Sequence, residues 1–449
     1  MKRILILLLM YAAPARADIL FLQNGAEIEG SFIAINGQQI SIKKTDGEVT
    51  SYPRKDALKL MFVDRDNVRA DFAGDSAVEA AARLLPADCG QDTICDAYRE
   101  YTYVLDAGSS VFKSERVVRK LFAEEARDEA GENRYYYNRD HEEVSLRYAM
   151  AVNGRDAARA DETTIADASE APAYPEYDKL RSLKFSIPKV TTGTVTDYVI
   201  VSTIARVSRE FPFFDRVPIA LRYPARKIRI SVTAPEGVAL STAASEGVSI
   251  ASAPQSAHDG KTTTVWEITD VQADVAATKN VSLFCFGAQD TWEDIGKYFS
   301  ARIGAALAEG KLPRVLRAGK YKTQKAKAAA LYQYTADHIV FVPADMNASS
   351  YIPQNPEETL RRGRGNTLDK PFVFYALLKK AGIDAKLVYA DSGTSPEFFP
   401  GIPAVSQFAK AAVYARLDGQ DMWLCPLESE IAFGVVPAYL QGRTGLIVH

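Results

Sequence analysis

The chain is poor in the side chains that most often carry catalysis and metal binding. Its 449 residues include only four cysteines and four histidines. No H-E-x-x-H, no G-x-S-x-G and no pair of cysteines at zinc-finger spacing occurs. We therefore expect no metal and no cofactor. The formal net charge of −3 comes without basic blocks, which argues against a nucleic-acid partner.

Long apolar runs are also missing. A membrane-spanning helix needs about 20 consecutive apolar residues, and the apolar run near the N-terminus covers only residues 4–10. With Lys2 and Arg3 before it and Ala15-Arg16-Ala17 after it, this run has the pattern of a secretory signal. We expect cleavage after Ala17 and export to the periplasm of a Gram-negative type envelope. A short helix on a membrane surface is the alternative.

The few cysteines fall into two kinds of sequence context. Cys89 and Cys95 flank a short polar loop, and export makes a bridge between them feasible, so we expect a disulfide. Cys285 lies in an apolar stretch and Cys425 in a predicted strand. We expect both to be buried small side chains rather than reactive groups.

A helix is predicted to end at Gly382. Phe374, Leu377, Leu378 and Ala381 recur at i, i+3, i+4 and i+7, which is one buried helical face. Glycine is a suitable residue just after a helix C-terminus.

The start of this helix has two candidate caps. Asn366 is a good N-cap with Asp369 three residues later, in the place of a capping-box acid. Pro371 then removes an early helix N–H, whereas a cap at Asp369 would put Pro371 at the second helical position. The sequence leaves both caps open.

The segment RGRGNTLDKPFVFYALLKKAG, residues 362–382, resembles the catalytic helix of the bacterial transglutaminase-like superfamily. There the motif is Gly-Asp-Cys-Lys-Asp-Lys, and the helix N-terminus lowers the pKa of the cysteine. Three positions agree with the motif: Gly365, Asp369 and Lys370. Three differ: Asn366 replaces the aspartate, Thr367 the cysteine and Leu368 the first lysine.

A hairpin follows, and it resembles the part of the family that carries the histidine and the aspartate. Two apolar runs, residues 408–417 and 422–427, flank Asp418-Gly419, a strong turn signal. The family's Phe-Asn-His-Val matches residues 408–411, and its Trp-Leu-Asp-Pro matches residues 423–426. The histidine position is therefore Lys410, and the aspartate position is Cys425.

The resemblance thus implies a degenerate Cys-His-Asp triad at Thr367, Lys410 and Cys425. A threonine hydroxyl needs a base to attack, a lysine ammonium cannot accept a proton, and a thiol does not orient an imidazole as a carboxylate does. His338, on a predicted helix upstream, could serve as a base, but we expect it in the core or at the rim. A residual cleft would be lined by Asn366, Asp369, Tyr351 and Trp423, beside Lys410.

The domain organisation is expected to be α+β and multidomain. After the signal at 1–17 come a small SH3-like β-barrel (18–66), whose turns fall at Asn24-Gly25, Asn36-Gly37 and Asp46-Gly47, and a helical connector (67–95). A β-rich, sandwich-like domain (96–287) follows, and its residues 174–198 resemble the uncharacterised β-domain that precedes transglutaminase cores. A linker helix (288–320) and a transglutaminase-like, papain-like core (321–449) complete the chain. For residues 18–66 the alternative is an edge-strand appendage to the next domain. Whether a further C-terminal domain belongs to the protein stays open.

Three hypotheses follow from these residues. The first is a non-catalytic exported protein that binds an envelope protein or peptide through a degenerate transglutaminase-like core. The second is a transglutaminase- or peptidase-like enzyme with a remodelled site, using Cys425 with His338 or Lys410. The third is a structural β-rich protein whose partner surface lies in the N-terminal half.

Overall fold

The computed structural model describes residues 18–22, 26–35, 39–44, 48–61, 75–105, 110–154, 156–205, 213–248, 250–252, 256–258, 260–273, 283–288, 291–309, 311–316, 320–392 and 397–449. The signal predicted at residues 1–17 lies outside these ranges. The chain divides into two compact units, Met1–Asp75 and Ser76–His449. Across the described ranges, no helix is both long and apolar enough to cross a membrane.

The first unit contains an antiparallel sheet. Its strands are β1 (Asp18–Leu22), β2 (Glu27–Ile35), β3 (Gln39–Lys43), β4 (Val49–Pro53) and β5 (Ala57–Met61). They pair in the order β4-β3-β2-β1-β5 around buried Leu20, Leu22, Ile40 and Ile42. In the part of this unit that the structure describes, β4 and β5 stay at opposite edges of an open sheet. The expected SH3-like barrel is therefore not supported. The three predicted glycine turns lie outside the described residues.

The second unit begins with a helix followed by a large β-rich region. In chain order its elements are α1 (Ser76–Arg83), β6 (Ile94–Leu105), β7 (Ser110–Leu121), α2 (Arg127–Gly131), β8 (Glu132–Asn138), β9 (Glu142–Asn153), β10 (Asp156–Arg159), β11 (Ile165–Ser169), β12 (Leu180–Ser186), β13 (Val195–Ala205), β14 (Phe214–Pro218), β15 (Ala225–Pro235), β16 (Leu240–Ala244), β17 (Ala251–Ser252), β18 (Ser256–His258), β19 (Lys261–Val271) and β20 (Leu283–Ala288).

One large sheet dominates this β-rich region. Its order is β10-β9-β13-β7-β6-β15-β19-β17, with β18 also paired to β19. Only the β6–β15 pairing is parallel among its described pairings. Two smaller sheets, β11-β12-β8 and β14-β20-β16, pack on it and close two apolar cores. Phe185 belongs to one core and Phe286 to the other. Each small sheet therefore shares an apolar core with the large sheet, and the region is strand-rich, as the sequence predicts.

The C-terminal region has α+β architecture. Its elements are α3 (Trp292–Glu309), α4 (Gln324–His338), β21 (Val340–Phe341), α5 (Pro356–Arg362), β22 (Arg364–Gly365), α6 (Asp369–Lys380), β23 (Ala385–Ala390), β24 (Lys410–Leu417), β25 (Gln420–Leu424) and β26 (Gly445–Ile447). The sheet order is β25-β24-β23-β26, and all of its pairings are antiparallel. The predicted hairpin forms, with Asp418 and Gly419 both at positive φ, as a two-residue hairpin turn requires.

Helix α6 is the centre of this region. Its first ten residues are buried, and it packs against α4, β23 and β24. Helix α3, expected as a linker, contributes Ile295, Phe299 and Ile303 to the same core. It is therefore part of the C-terminal domain's packing as well as a connection.

A disulfide joins Cys89 and Cys95, whose Cα atoms lie 6.2 Å apart. Converting both to alanine should lower the free energy of unfolding by about 2 kcal/mol, the loop-closure term for a ring this small. Urea unfolding of the oxidised protein and of the double variant measures the difference.

The control is the wild-type protein in reductant, which should unfold like the double variant. Alkylation of both thiols in the native, unreduced protein, or an unchanged unfolding curve for the variant, would contradict the bond.

Candidate functional site

The start of α6 is capped by Asn366. Its side-chain oxygen accepts hydrogen bonds from the backbone N–H groups of Leu368 (3.0 Å) and Asp369 (2.9 Å), two of the donors that a helix start leaves without partners. Asn366 rather than Asp369 is thus the cap, and the alternative left open by the sequence is decided. Gly365 is needed just before it, because a Cβ there would lie 2.9 Å from the backbone nitrogen of Lys370.

Pro371 has a specific role in this arrangement. It has no N–H, so the carbonyl of Thr367, four residues earlier, has no helical donor. That carbonyl instead accepts a hydrogen bond from the backbone N–H of Ala411 at 2.9 Å. Because Ala411 follows Lys410 in β24, the bond fixes the predicted nucleophile position beside the predicted histidine position.

Thr367 itself is turned into the protein. It is 4% exposed, its hydroxyl donates to the carbonyl of Ala344 at 3.2 Å, and its N–H donates to the same oxygen at 3.3 Å. The short parallel pair of β21 and β22 brings the chain at Ala344 alongside the helix start. The hydroxyl is held as a structural donor.

Lys410 and Cys425 converge on Tyr439. The Lys410 ammonium lies 5.0 Å from the centroid of the Tyr439 ring, and the Cys425 sulfur lies 4.0 Å from the Tyr439 hydroxyl. That hydroxyl donates to Glu428 at 2.6 Å. Burial raises the pKa of the Cys425 thiol to about 11. The structure therefore brings two of the three predicted triad positions together, with an aromatic side chain in contact with both.

Asp345 is a further charged group at this place, and the sequence analysis missed it. Desolvation by the surrounding protein raises the pKa of its carboxyl although part of the residue remains exposed, and the positive charge of Lys410 opposes that rise. Its backbone carbonyl accepts from the Asn366 side chain at 3.0 Å. No local motif marks Asp345, since its proximity to Lys410 arises from the fold.

Tyr177, from the β-rich region, reaches the helix start of the C-terminal domain. The fully buried Tyr177 hydroxyl accepts from the Asn366 N–H at 2.9 Å and donates to the Asp369 carboxylate at 2.7 Å. The other Asp369 oxygen accepts from the Gln354 N–H at 2.9 Å. In a capping box the acid would accept directly from the cap residue. Here a tyrosine hydroxyl stands between the two groups, and we call this set the tyrosine relay.

An ion pair flanks the tyrosine relay. The guanidinium of Arg364 donates to both carboxylate oxygens of Glu176, at 2.5 and 3.0 Å. Burial raises the pKa of Asp369, and the hydrogen bonds from Gln354 and Tyr177 oppose this effect. Both sets of contacts tie the β-rich region to the start of α6.

The four residues expected to line a residual cleft do not share one opening. Asn366 and Asp369 are fully buried and act at the helix start. Tyr351 lines a cavity of about 610 Å³ together with strands of the β-rich region. Trp423 lines a different cavity, of about 400 Å³, with Cys425. The expected cleft is therefore divided into two spaces.

The histidine considered as a base lies elsewhere. His338 is exposed, stacks on Tyr334 with ring centroids 3.9 Å apart, and pairs through Nδ1 with the Tyr334 carbonyl at 2.9 Å. Among the residues the structure describes, no group of three or more histidine, cysteine, aspartate or glutamate side chains could hold a metal ion.

Two family models match successive parts of the chain. A domain of unknown function, DUF3857, matches residues 106–275, and the transglutaminase-like superfamily core matches residues 314–423. The chain therefore carries a DUF3857 domain followed by a transglutaminase-like domain, as the sequence resemblance implies. No curated protein matches.

A solved structure shares this fold. A crystal structure from Parabacteroides distasonis, described as a "putative protease", has a TM-score of 0.63 at 16% identity over 74% of this chain and 67% of that one. An M1 zinc metallopeptidase from Deinococcus radiodurans gives a TM-score of 0.25 at 11% identity, covering 60% of each chain. A "putative cysteine protease" from Cytophaga hutchinsonii gives 0.23 at 12%, covering 53% and 76%. Only the first supports a common fold.

Replacing Tyr177 by phenylalanine should destabilise the second unit by about 1–3 kcal/mol, because it leaves one oxygen of the buried Asp369 carboxylate without its donor. Chemical unfolding of the full chain at several pH values measures the loss. Asp369 has a raised pKa in the folded state, so its ionisation costs stability as pH rises through the window between the unfolded and folded pKa values. Removing the Tyr177 donor raises the folded pKa further, so the loss should be larger at about pH 8 than at about pH 5.

The matched control is Tyr334→Phe, a half-buried tyrosine on α4. It should change stability by less than about 0.5 kcal/mol. A Tyr177→Phe protein as stable as wild type at every pH would show that the tyrosine relay does not stabilise the helix start.

Proposed function

We propose that this chain is a non-catalytic, exported protein that binds or scaffolds a protein or peptide in the cell envelope, and that its transglutaminase-like domain has kept the architecture without the acyl-transfer chemistry. The observation that carries the proposal is the state of Thr367 at the nucleophile position. A catalytic hydroxyl must face substrate and hydrogen-bond to a base, whereas this one is buried and donates to a backbone carbonyl.

The groups around Lys410 support the same proposal. A lysine ammonium can donate protons but has no free lone pair to accept one, so it does not replace the family's histidine as a base. Cys425 is 2% exposed, and its raised pKa keeps it as a neutral thiol near pH 7. Tyr439 contacts both side chains, so each of them is engaged by a group of the protein itself.

Export is supported by two observations. Residues 1–17 have the composition of a cleavable signal, and the Cys89–Cys95 disulfide is a bond that persists in oxidising compartments such as the periplasm. We infer a periplasmic location with cleavage after Ala17.

An enzyme with a remodelled site is the alternative, with Cys425 as nucleophile. His338 is exposed at the end of α4, and its ring contacts Tyr334, which weighs against that histidine as the base for Cys425. Burial without a nearby imidazole opposes thiolate formation. The non-catalytic proposal therefore accounts for more of the geometry.

The direct test is turnover by the full mature chain. Peptides carrying glutamine are incubated with the protein and a primary amine, and amide exchange and hydrolysis are followed by mass spectrometry. We expect no time-dependent product above that of a Thr367→Val variant. Product that is abolished by Thr367→Val or Cys425→Ser would overturn the proposal.

The reactivity of Cys425 is a separate prediction. With a pKa of about 11, only about one thiol in ten thousand is ionised at pH 7, and the thiolate fraction rises about tenfold per pH unit until the pKa is reached. Alkylation by iodoacetamide, mapped by peptide mass, should follow that profile. Cys285, whose pKa burial raises to about 12, is the internal reference.

A Cys425→Ser protein, which lacks the site, gives the background for this measurement. If Cys425 in the folded protein is labelled at neutral pH as fast as free cysteine, the thiol is activated and the remodelled-enzyme alternative gains support.

A further inference from the structure

The cavity of about 610 Å³ lies where the β-rich region meets the transglutaminase-like domain, and we call it the junction cavity. The β-rich region supplies Tyr135, Phe214 and Arg216 to its wall, and the C-terminal domain supplies Tyr351 and Val405. Its volume lies in the range of about 300–1,000 Å³ that small-molecule and peptide-side-chain sites occupy. Both walls belong to the same compact unit.

Arg216 is the cavity's unmatched cation. One of its guanidinium nitrogens donates to the Ser406 carbonyl at 3.0 Å, and the guanidinium lies 5.2 Å from the Phe214 ring centroid. No carboxylate of the described residues forms an ion pair with it. Burial lowers its pKa, and nearby groups that include Asp215 and Asp391 oppose this effect only in part. Two contacts fix the orientation of the guanidinium, and its remaining N–H groups can meet an anion.

The other charges in the junction cavity are matched within the protein. The Lys113 ammonium lies 2.9 Å from the Asp215 carboxylate, which also accepts from the Tyr103 hydroxyl at 2.8 Å. Glu142 accepts from the Tyr135 hydroxyl at 2.8 Å. Arg216 is thus the charged group of this cavity that is available to pair with an anionic ligand.

Apolar side chains surround the space beside Arg216. They come from both regions: Val111, Ile204, Phe213, Ile295 and Val405. A guanidinium fork binds a carboxylate through two parallel hydrogen bonds, and an apolar surface beside it accommodates a hydrocarbon or aromatic group. A peptide's last residue presents both features, a terminal carboxylate and a side chain on the adjacent carbon.

We propose that the junction cavity binds the C-terminal residue of a peptide, with the terminal carboxylate on Arg216 and an apolar side chain against Ile204 and Phe213. This deepens the proposed binding function and rests on it. The main-chain carbonyl of Ser406 fixes Arg216 from the C-terminal domain while Phe214 fixes it from the β-rich region. The site therefore exists only where the two regions meet.

The test uses the full mature chain and three probes. Acetyl-Ala-Ala-Phe with a free carboxylate, the same peptide as a C-terminal amide, and 3-phenylpropionate are titrated by calorimetry, with thermal shift as a second readout. We expect the free acid to bind at least tenfold tighter than the amide, which wild-type protein alone can establish. Because a charge-assisted hydrogen bond is worth about 1.5–3 kcal/mol, Arg216→Gln should weaken the free acid about 10- to 100-fold.

Two further variants keep the result independent of folding. Arg216→Lys retains the charge without the fork and should show an intermediate loss. Arg416→Gln, in the β24–β25 hairpin and outside the cavity lining, where Arg416 pairs with Asp421, is the matched control and should bind as wild type does.

The proposed site would be overturned by any of three results. The peptide acid and the peptide amide bind with equal affinity, Arg216→Gln binds the peptide acid as tightly as wild type does, or the peptide acid does not bind at millimolar concentration. Binding of 3-phenylpropionate as tight as that of the peptide would overturn the peptide assignment. The products are analysed in the same samples, so binding accompanied by turnover would sink the non-catalytic proposal while leaving this site intact.

Discussion

The structure depends on one hydroxyl group, that of Tyr177, placed between the Asn366 amide and the Asp369 carboxylate at the start of α6. Helix α6 is buried over its first ten residues, so its N-terminal donors and its acid have to be satisfied by protein. Asn366 satisfies two donors, and the tyrosine relay satisfies the third donor and the acid together. The β-rich region therefore completes a helix that belongs to the C-terminal domain.

This constraint also explains what remains at the predicted catalytic position. In the related enzymes that the sequence resembles, a helix start activates a cysteine. Here Asn366 caps the helix start, and the carbonyl of Thr367, left without a helical donor by Pro371, joins the helix to β24. The contacts around Thr367 are satisfied within the protein, which leaves the position with a structural role.

A second consequence concerns the junction cavity. The contacts of Tyr177 with Asp369, and of Glu176 with Arg364, hold the two regions against each other. The space enclosed between them is lined by side chains from both, including Arg216 and Tyr351. The proposed loss of enzymatic chemistry is compatible with the proposed binding site, because the groups of that site come from the interface and not from the nucleophile position.

Local sequence patterns were sufficient for much of the secondary structure. Period-3.6 spacing and Gly382 predicted α6, and Asp418-Gly419 predicted the β24–β25 hairpin, because both signals act over a few residues. The closed N-terminal barrel was not supported, since alternating strands and glycine turns specify hairpins but not whether the edge strands meet.

The candidate site was less predictable. The motif match located Thr367, Lys410 and Cys425, and the structure brings the last two to Tyr439. The roles of Tyr177, Asp345 and Tyr439 depend on contacts between residues far apart in sequence, which no local pattern encodes. The split of Tyr351 and Trp423 between two cavities has the same cause.

The central claim is that the helix start is a structural element and no longer forms an acyl intermediate. Intact-mass spectrometry of the mature chain, quenched in acid after mixing with an activated acyl ester, tests it most directly. If the helix start is purely structural, Thr367 and Cys425 of the folded protein stay unmodified, and any acyl adducts map to exposed lysines. A stoichiometric acyl adduct mapped to either residue, lost on denaturation before mixing, would contradict it.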